Sequence, residues 1–103
     1  MLRVVETLLF QKQWPRYWTE QERGEFAAYI AESPDVGDVV RGSGGIGKVR
    51  WSRAGSGKSG GVRVIYYLRT AQGELVLLTL YAKAKTGNIT GVKLKEIRRA
   101  LED

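Results

Sequence analysis

The 103-residue sequence has no cysteine, no histidine, two prolines and one methionine. Without cysteine there are no disulfides, no thiolate metal sites and no thiol nucleophile. Without histidine there is no imidazole to serve as acid, base or ligand. Long hydrophobic runs are missing too. Runs such as Leu75 to Leu80 are far too short to cross a bilayer. Near the N-terminus the longest apolar run is Leu8-Leu9-Phe10, which does not make a signal-peptide core. The expectation is a single domain over residues 1–103, cytoplasmic and without membrane attachment.

Charge of one sign is also missing from a whole stretch. No acid occurs between Val39 and Gly73, yet Arg41, Lys48, Arg50, Arg53, Lys58, Arg63 and Arg69 all do. The acids gather earlier, at Glu20, Glu22, Glu25, Glu32, Asp35 and Asp38. With a net charge of +6, this predicts a basic stripe facing a polyanion, opposite an acidic helical region. The stripe lacks the clustered carboxylates of a two-metal nuclease and the carboxylate pair of a glycosidase.

Inside it lies RWSRAGSGKSGGVRVIYY, from Arg50 to Tyr67. Gly57-Lys58-Ser59 suggests a nucleotide-binding loop, but the glycine required five positions before Gly57 is Ser52. A phosphate loop also opens a helix, whereas Val62 to Tyr67 is β-branched and aromatic, which is strand chemistry. The segment reads as a glycine-rich hairpin loop between two strands.

Patterning supplies the remaining elements. Leu2 to Thr7 reads as a strand, and Phe10 to Trp18 as a short helix or turn broken at Trp14-Pro15. Thr19-Glu20-Gln21-Glu22 reads as a capping box opening a helix that Pro34 ends near Ser33. Phe26, Ala27 and Ile30 form its apolar face. Trp14, Tyr17 and Trp18, placed before that helix, are expected to pack rather than to stack on bases. Asp35 to Gly47 reads as a loop. Lys48 to Arg53 alternates, with Lys48 and Arg50 on one face and Val49 and Trp51 on the other. Val62 to Arg69 is the next strand, and Gly73 turns the chain into Leu75 to Tyr81, a central strand buried on both faces. Thr90 to Leu101 reads as a basic helix with Leu94, Ile97 and Leu101 along its apolar stripe. The expected fold is α+β: a twisted, mostly antiparallel four-stranded sheet with N-terminal helices on one face and a C-terminal helix.

One phosphodiester reaction remains open to such a composition. RNA carries its own nucleophile, the 2′-hydroxyl, so a protein need only align it, stabilise the phosphorane and assist proton movement. Arginine and lysine provide that stabilisation without a metal or other cofactor. Lys48, Arg50, Lys58 and Arg63 are the candidate catalytic cations. A noncatalytic RNA-binding face would carry the same residues.

GGIGKVRW, RAGSGKSGGVRVIYY and LLTLYAKAKTGNIT resemble the RelE/ParE superfamily of bacterial type II toxins, and most nearly its HigB-like RelE branch. ETLLFQKQ and DVGDVVRGSGG extend the resemblance over nearly the whole chain. It implies a RelE-like toxin fold and ribosome-dependent cleavage of mRNA in the A site. It also implies a cognate antitoxin, in this branch a helix-turn-helix, HigA-like protein. By resemblance, Lys48 and Arg50 match the family's two basic strand positions, Arg63 its phosphate-binding arginine and Lys83 the lysine after the last strand. Lys58 belongs to the branch's loop. Arg53, Lys85 and Tyr81 join Lys83 as expected RNA contacts. Family members place an arginine and then a tyrosine after that lysine, where this chain has Ala84 and, approximately, Thr90; the branch often has a basic residue at the position of Gly47. The proton-handling role is thereby left without a residue, with Tyr66, Tyr67 and Tyr81 as candidates. A gyrase-inhibiting toxin of the ParE type and a plain RNA-binding module are the alternatives.

Overall fold

The computed structural model describes residues 2–40, 45–52 and 61–82, together with Lys95, Ile97 and Arg99. Strand β1 (Arg3–Glu6) leads into helix α1 (Leu8–Gln13), a 3₁₀ turn (Trp14–Arg16) and helix α2 (Glu20–Glu32). Strands β2 (Asp38–Val39), β3 (Ile46–Ser52), β4 (Gly61–Arg69) and β5 (Glu74–Ala82) follow, with a second 3₁₀ turn before β5. They form one sheet in the order β1-β5-β4-β3-β2. β1 runs parallel to β5, and every other pairing is antiparallel.

Local chemistry accounts for these elements. Thr19 caps α2 by accepting from Glu22 N at 3.1 Å, while Glu22 accepts from Thr19 N at 2.7 Å, so both halves of the capping box form. Thr7 caps α1, accepting from Phe10 N at 3.1 Å and donating its hydroxyl to Leu78 O at 2.9 Å. The turn into β5 places Gly73 at φ +67°, a conformation that glycine adopts without steric cost. β5 is paired on both sides, and its interior is buried on both faces as its apolar run requires.

The strand count is corrected. The sheet has five strands rather than four, because part of the Asp35 to Gly47 segment is not loop: Asp38–Val39 pairs with Lys48 and Gly47. Hydrophobic packing also occupies both faces. On the first face, Phe10, Trp18, Phe26 and Ile30 meet Val49, Val62, Val64, Tyr66, Leu75, Leu77 and Leu80. Trp51 packs there at 5.4 Å from Phe26 and 4.8 Å from Tyr29, ring to ring. On the second face, Ile46, Ile65, Tyr67, Val76, Leu78 and Tyr81 form a smaller cluster, against which Val5, Val40 and Ile97 pack. Lys95, Ile97 and Arg99 have helical backbone, and Ile97 lies on the face opposite α2.

Beyond the end of β1, β5 is edged by α1 rather than by a strand. Gln13 Oε1 accepts from Leu80 N at 3.3 Å and from the Thr79 hydroxyl at 2.5 Å. Side chains of a helix thus take up strand polar groups that would otherwise be exposed to pairing with another chain.

Candidate nucleic-acid interface

The antiparallel ladder decides which cations meet. Arg50 on β3 is directly opposite Arg63 on β4, and Arg63 is directly opposite Tyr81 on β5. Directly opposed residues share a face with Cβ atoms about 5 Å apart, so Arg50, Arg63 and Tyr81 form one row across three strands. Lys48 stands on the same face two residues along β3, in the row of Ile65 and Thr79. Arg50 is exposed, Lys48 and Arg63 are half-buried, and Tyr81 is buried. No described carboxylate forms an ion pair with Lys48, Arg50 or Arg63. Two like charges directly opposite each other, with no counterion between them, are a local cost to the fold.

Tyr81 reaches this row through an irregularity. Ile65 pairs with Thr79 but Tyr66 pairs with Leu77, so Leu78 is an extra residue on β5. Before it, Leu75 and Leu77 face α2; after it, Leu80 does. Because strand side chains alternate with a period of two, one inserted residue exchanges the faces of everything beyond it. Without the bulge, Tyr81 would enter the core under α2. With it, Tyr81 stands beside Arg63.

Tyr66 is removed as a candidate. It lies on the α2 face, where its hydroxyl donates to Pro34 O at 2.9 Å and accepts from Gly37 N at 3.0 Å. Burial, the largest influence, raises its pKa above the ordinary tyrosine value. Gly47 faces the same way. A Cβ there would lie 2.9 Å from the Tyr66 ring, and one at Gly37 2.6 Å from its oxygen. A basic side chain at position 47 would therefore collide with Tyr66 instead of adding to the basic row.

Asp38 is corrected in the other direction. Grouped by sequence with the acidic helical region, it pairs with Lys48 and so stands on the basic face, exposed. Val40, two residues on, packs into the second cluster and confirms that facing. Glu74 also lies on this face but at its far end, where it pairs with Arg3 and, at 3.6 Å, with Arg69. Arg69 therefore does not join the row. Lys58, Arg53, Lys83 and Lys85 lie outside the described residues, as do Ala84 and Thr90.

A groove of about 430 Å³ runs between β1 and α2, lined by Val4, Glu6, Gln11 and Arg23. Arg23 is bound there by Glu6, at 3.0 Å, and by Glu20, and its guanidinium lies 4.7 Å from the Trp14 ring centre. That cation is already neutralised. Trp18 is buried in the core, and Trp14 and Tyr17 pack against it, so these aromatics are not a stacking platform.

No protein-family model matches the chain. Two solved structures align over almost its full length. One is a double arginine-to-alanine mutant of the E. coli toxin RelE in the free state: TM-score 0.65, 14% identity, covering 95% of this chain and 96% of that one. The other is the isolated E. coli RelE toxin: TM-score 0.58, 15% identity, covering 97% and 99%. The fold is that of RelE. In this RelE fold the row of Arg50, Arg63 and Tyr81 spans the middle strands of the sheet, on the face away from α2. None of the described helices is long and apolar enough to cross a membrane.

Proposed function

We propose that the chain is the toxin of a type II toxin–antitoxin system, a ribosome-dependent endoribonuclease that cuts A-site mRNA in the cytoplasm. The observation that carries this reading is the row of Arg50, Arg63 and Tyr81 with Lys48 beside it, cationic and without ion-paired carboxylates. A phosphodiester laid across the row meets two guanidinium groups whose planar donors suit its non-bridging oxygens. Arg63 and Arg50 hold the phosphate and stabilise the extra charge of the phosphorane formed when the 2′-oxygen attacks. The products are a 2′,3′-cyclic phosphate and a free 5′-hydroxyl. Lys48 adds positive charge on the side of the attacking sugar. Lys58 joins the catalytic cations, Arg53, Lys83, Lys85 and Tyr81 extend the RNA contacts, and no metal takes part. The RelE fold and the quoted motifs support the ribosome as the setting. They also support an antitoxin of the HigA-like helix-turn-helix type, its acidic segment drawn to the basic face and associating fastest at low salt.

Single-turnover cleavage on ribosomes programmed with a defined mRNA tests the reading. Arg63→Ala should keep the wild-type circular dichroism spectrum and lose about 100- to 1,000-fold in rate, as when one oxyanion donor is removed. A folded Arg63→Ala protein cutting at the normal rate would refute the assignment. Gyrase inhibition without mRNA cleavage would replace it with the gyrase-directed alternative.

A further inference from the structure

Attack by a 2′-hydroxyl requires an acceptor for its proton. With no histidine in the chain, the ordinary side chain already deprotonated at neutral pH is a carboxylate. We propose that Asp38 is the general base of the cleavage reaction, a role that rests on the ribonuclease reading above.

The register places Asp38 where such a base belongs. It is the cross-strand partner of Lys48 on the outermost strand, on the face that carries Arg50 and Arg63. Its carboxylate is exposed and makes no ion pair with Lys48 or any other described residue. The groups around it are Lys48 from β3, Arg50 diagonally beyond, Asp35 on its own segment, and Tyr66 from the opposite side of the sheet.

Asp38 and Arg63 are two strands apart and one two-residue step out of register, which puts their Cα atoms about 12 Å from each other. Strand side chains stand off the sheet face, so a short aspartate and a long arginine that lean only partly inward keep much of that separation between their polar ends. That suits a ribose and its 3′-phosphate, the phosphate on the arginines and the 2′-oxygen toward β2. Oδ of Asp38 takes the 2′-proton as the bond from the 2′-oxygen to phosphorus forms. The bond from phosphorus to the 5′-oxygen breaks, and the departing oxygen takes a proton from water. Asp38 then releases its proton to solvent. No oxidant, metal or cofactor enters the balance.

The alternative role for Asp38 is to hold Lys48 in place. The pH–rate profile separates base from positioner, because only loss of a base removes the acid limb of the wild-type profile in Asp38→Asn. Two substrates on programmed ribosomes then separate nucleophile from leaving group: an all-ribose mRNA, and one whose scissile 5′-oxygen is replaced by sulfur. The sulfur leaves without protonation, so it relieves defects at the leaving group but not at the nucleophile. Asp38→Asn should slow the oxygen substrate about 100-fold, within the range for loss of a general base. It should remain about equally slow relative to wild type on the sulfur substrate. Asp38→Glu should recover much of the rate, with all variants melting near the wild type.

If Asp38→Asn cuts within about twofold of wild type while Arg63→Ala is inactive, the base assignment falls and the ribonuclease reading stands. The base assignment also falls if the sulfur substrate restores the Asn variant. A wild-type protein that cuts neither substrate, or cuts equally when the scissile nucleotide is 2′-deoxy, removes the ribonuclease reading itself and the base with it.

Discussion

The two faces of one sheet were built to opposite rules. Under α2, Val49, Val62, Val64 and Leu80 meet an aromatic series in which Phe10, Trp18, Phe26, Tyr29 and Trp51 touch ring to ring, at 4.8–6.5 Å between centres. On the reverse, the same strands show Lys48, Arg50 and Arg63, and only part of that face carries a hydrophobic cluster. The backbone ladder is common to both, so each strand residue that stabilises one side positions its neighbour on the other. Val62 and Val64, fixed in the core, hold Arg63 between them. A rigid row of cations needs no packing of its own when the face behind it is packed. Stability and function can therefore be separated by mutating one side at a time.

The largest expected effect lies on the packed side. Phe26 is fully buried and contacts Trp18, Tyr29 and Trp51. Phe26→Ala removes that contact and leaves a cavity, a change that costs about 3–5 kcal/mol. In a domain of this size the melting temperature should fall by roughly 15 °C or more. Thermal denaturation followed by circular dichroism checks it. A loss below about 1 kcal/mol would mean that α2 is not a keystone of the fold. The cations on the reverse face should show no comparable dependence.

The packed side was largely legible in the sequence, and the basic face only in part. The capping box at Thr19 and Glu22, the alternation of Lys48, Val49, Arg50 and Trp51, and the doubly buried β5 are local patterns, and each appears as expected. Which residues face one another across strands is not a local property. The two-residue strand β2 lies in a glycine-rich segment too short to show a period, so Asp38 could not be placed beside Lys48. The extra residue at Leu78, which brings Tyr81 to Arg63, leaves no mark in a continuous apolar run. Tyr66 and Tyr67, adjacent and alike, separate to opposite faces by the same pairing.

Tyr66 allows a finer cut, because it belongs to the packed face yet fixes the approach to Asp38. Its hydroxyl bridges Pro34 O and Gly37 N just before β2. Tyr66→Phe leaves both backbone groups without that partner, and should cost about 1–2 kcal/mol and speed exchange of the Gly37 amide. The pH dependence has a definite sign. Burial raises the Tyr66 pKa above 10.0, so above that pH the native state keeps a proton that the unfolded chain has lost. The contribution is full below the unfolded value and is lost as pH rises through the native one. Wild-type stability should therefore fall above about pH 10 more steeply than that of Tyr66→Phe. Parallel slopes would contradict the buried hydroxyl.

The smallest effect has the opposite sign and belongs to the basic face. Arg50 and Arg63 oppose each other directly, and like charges so placed destabilise a strand pair by roughly 0.2–1 kcal/mol. Arg50→Gln keeps a long, exposed polar side chain at that position and removes the repulsion. It should raise stability by a few tenths of a kcal/mol, read as a shift in the urea midpoint at low salt. Raising ionic strength screens the repulsion, so the wild type should gain more from added salt than the variant and the two should converge. If Arg50→Gln is instead less stable at low salt, and that gap closes as salt is added, the arginine pair is not in net repulsion and an anionic group compensates it. If the variant is the more stable at low salt and the two converge, the basic face is held at a cost to the fold, and the core under α2 is what lets the sheet bear it.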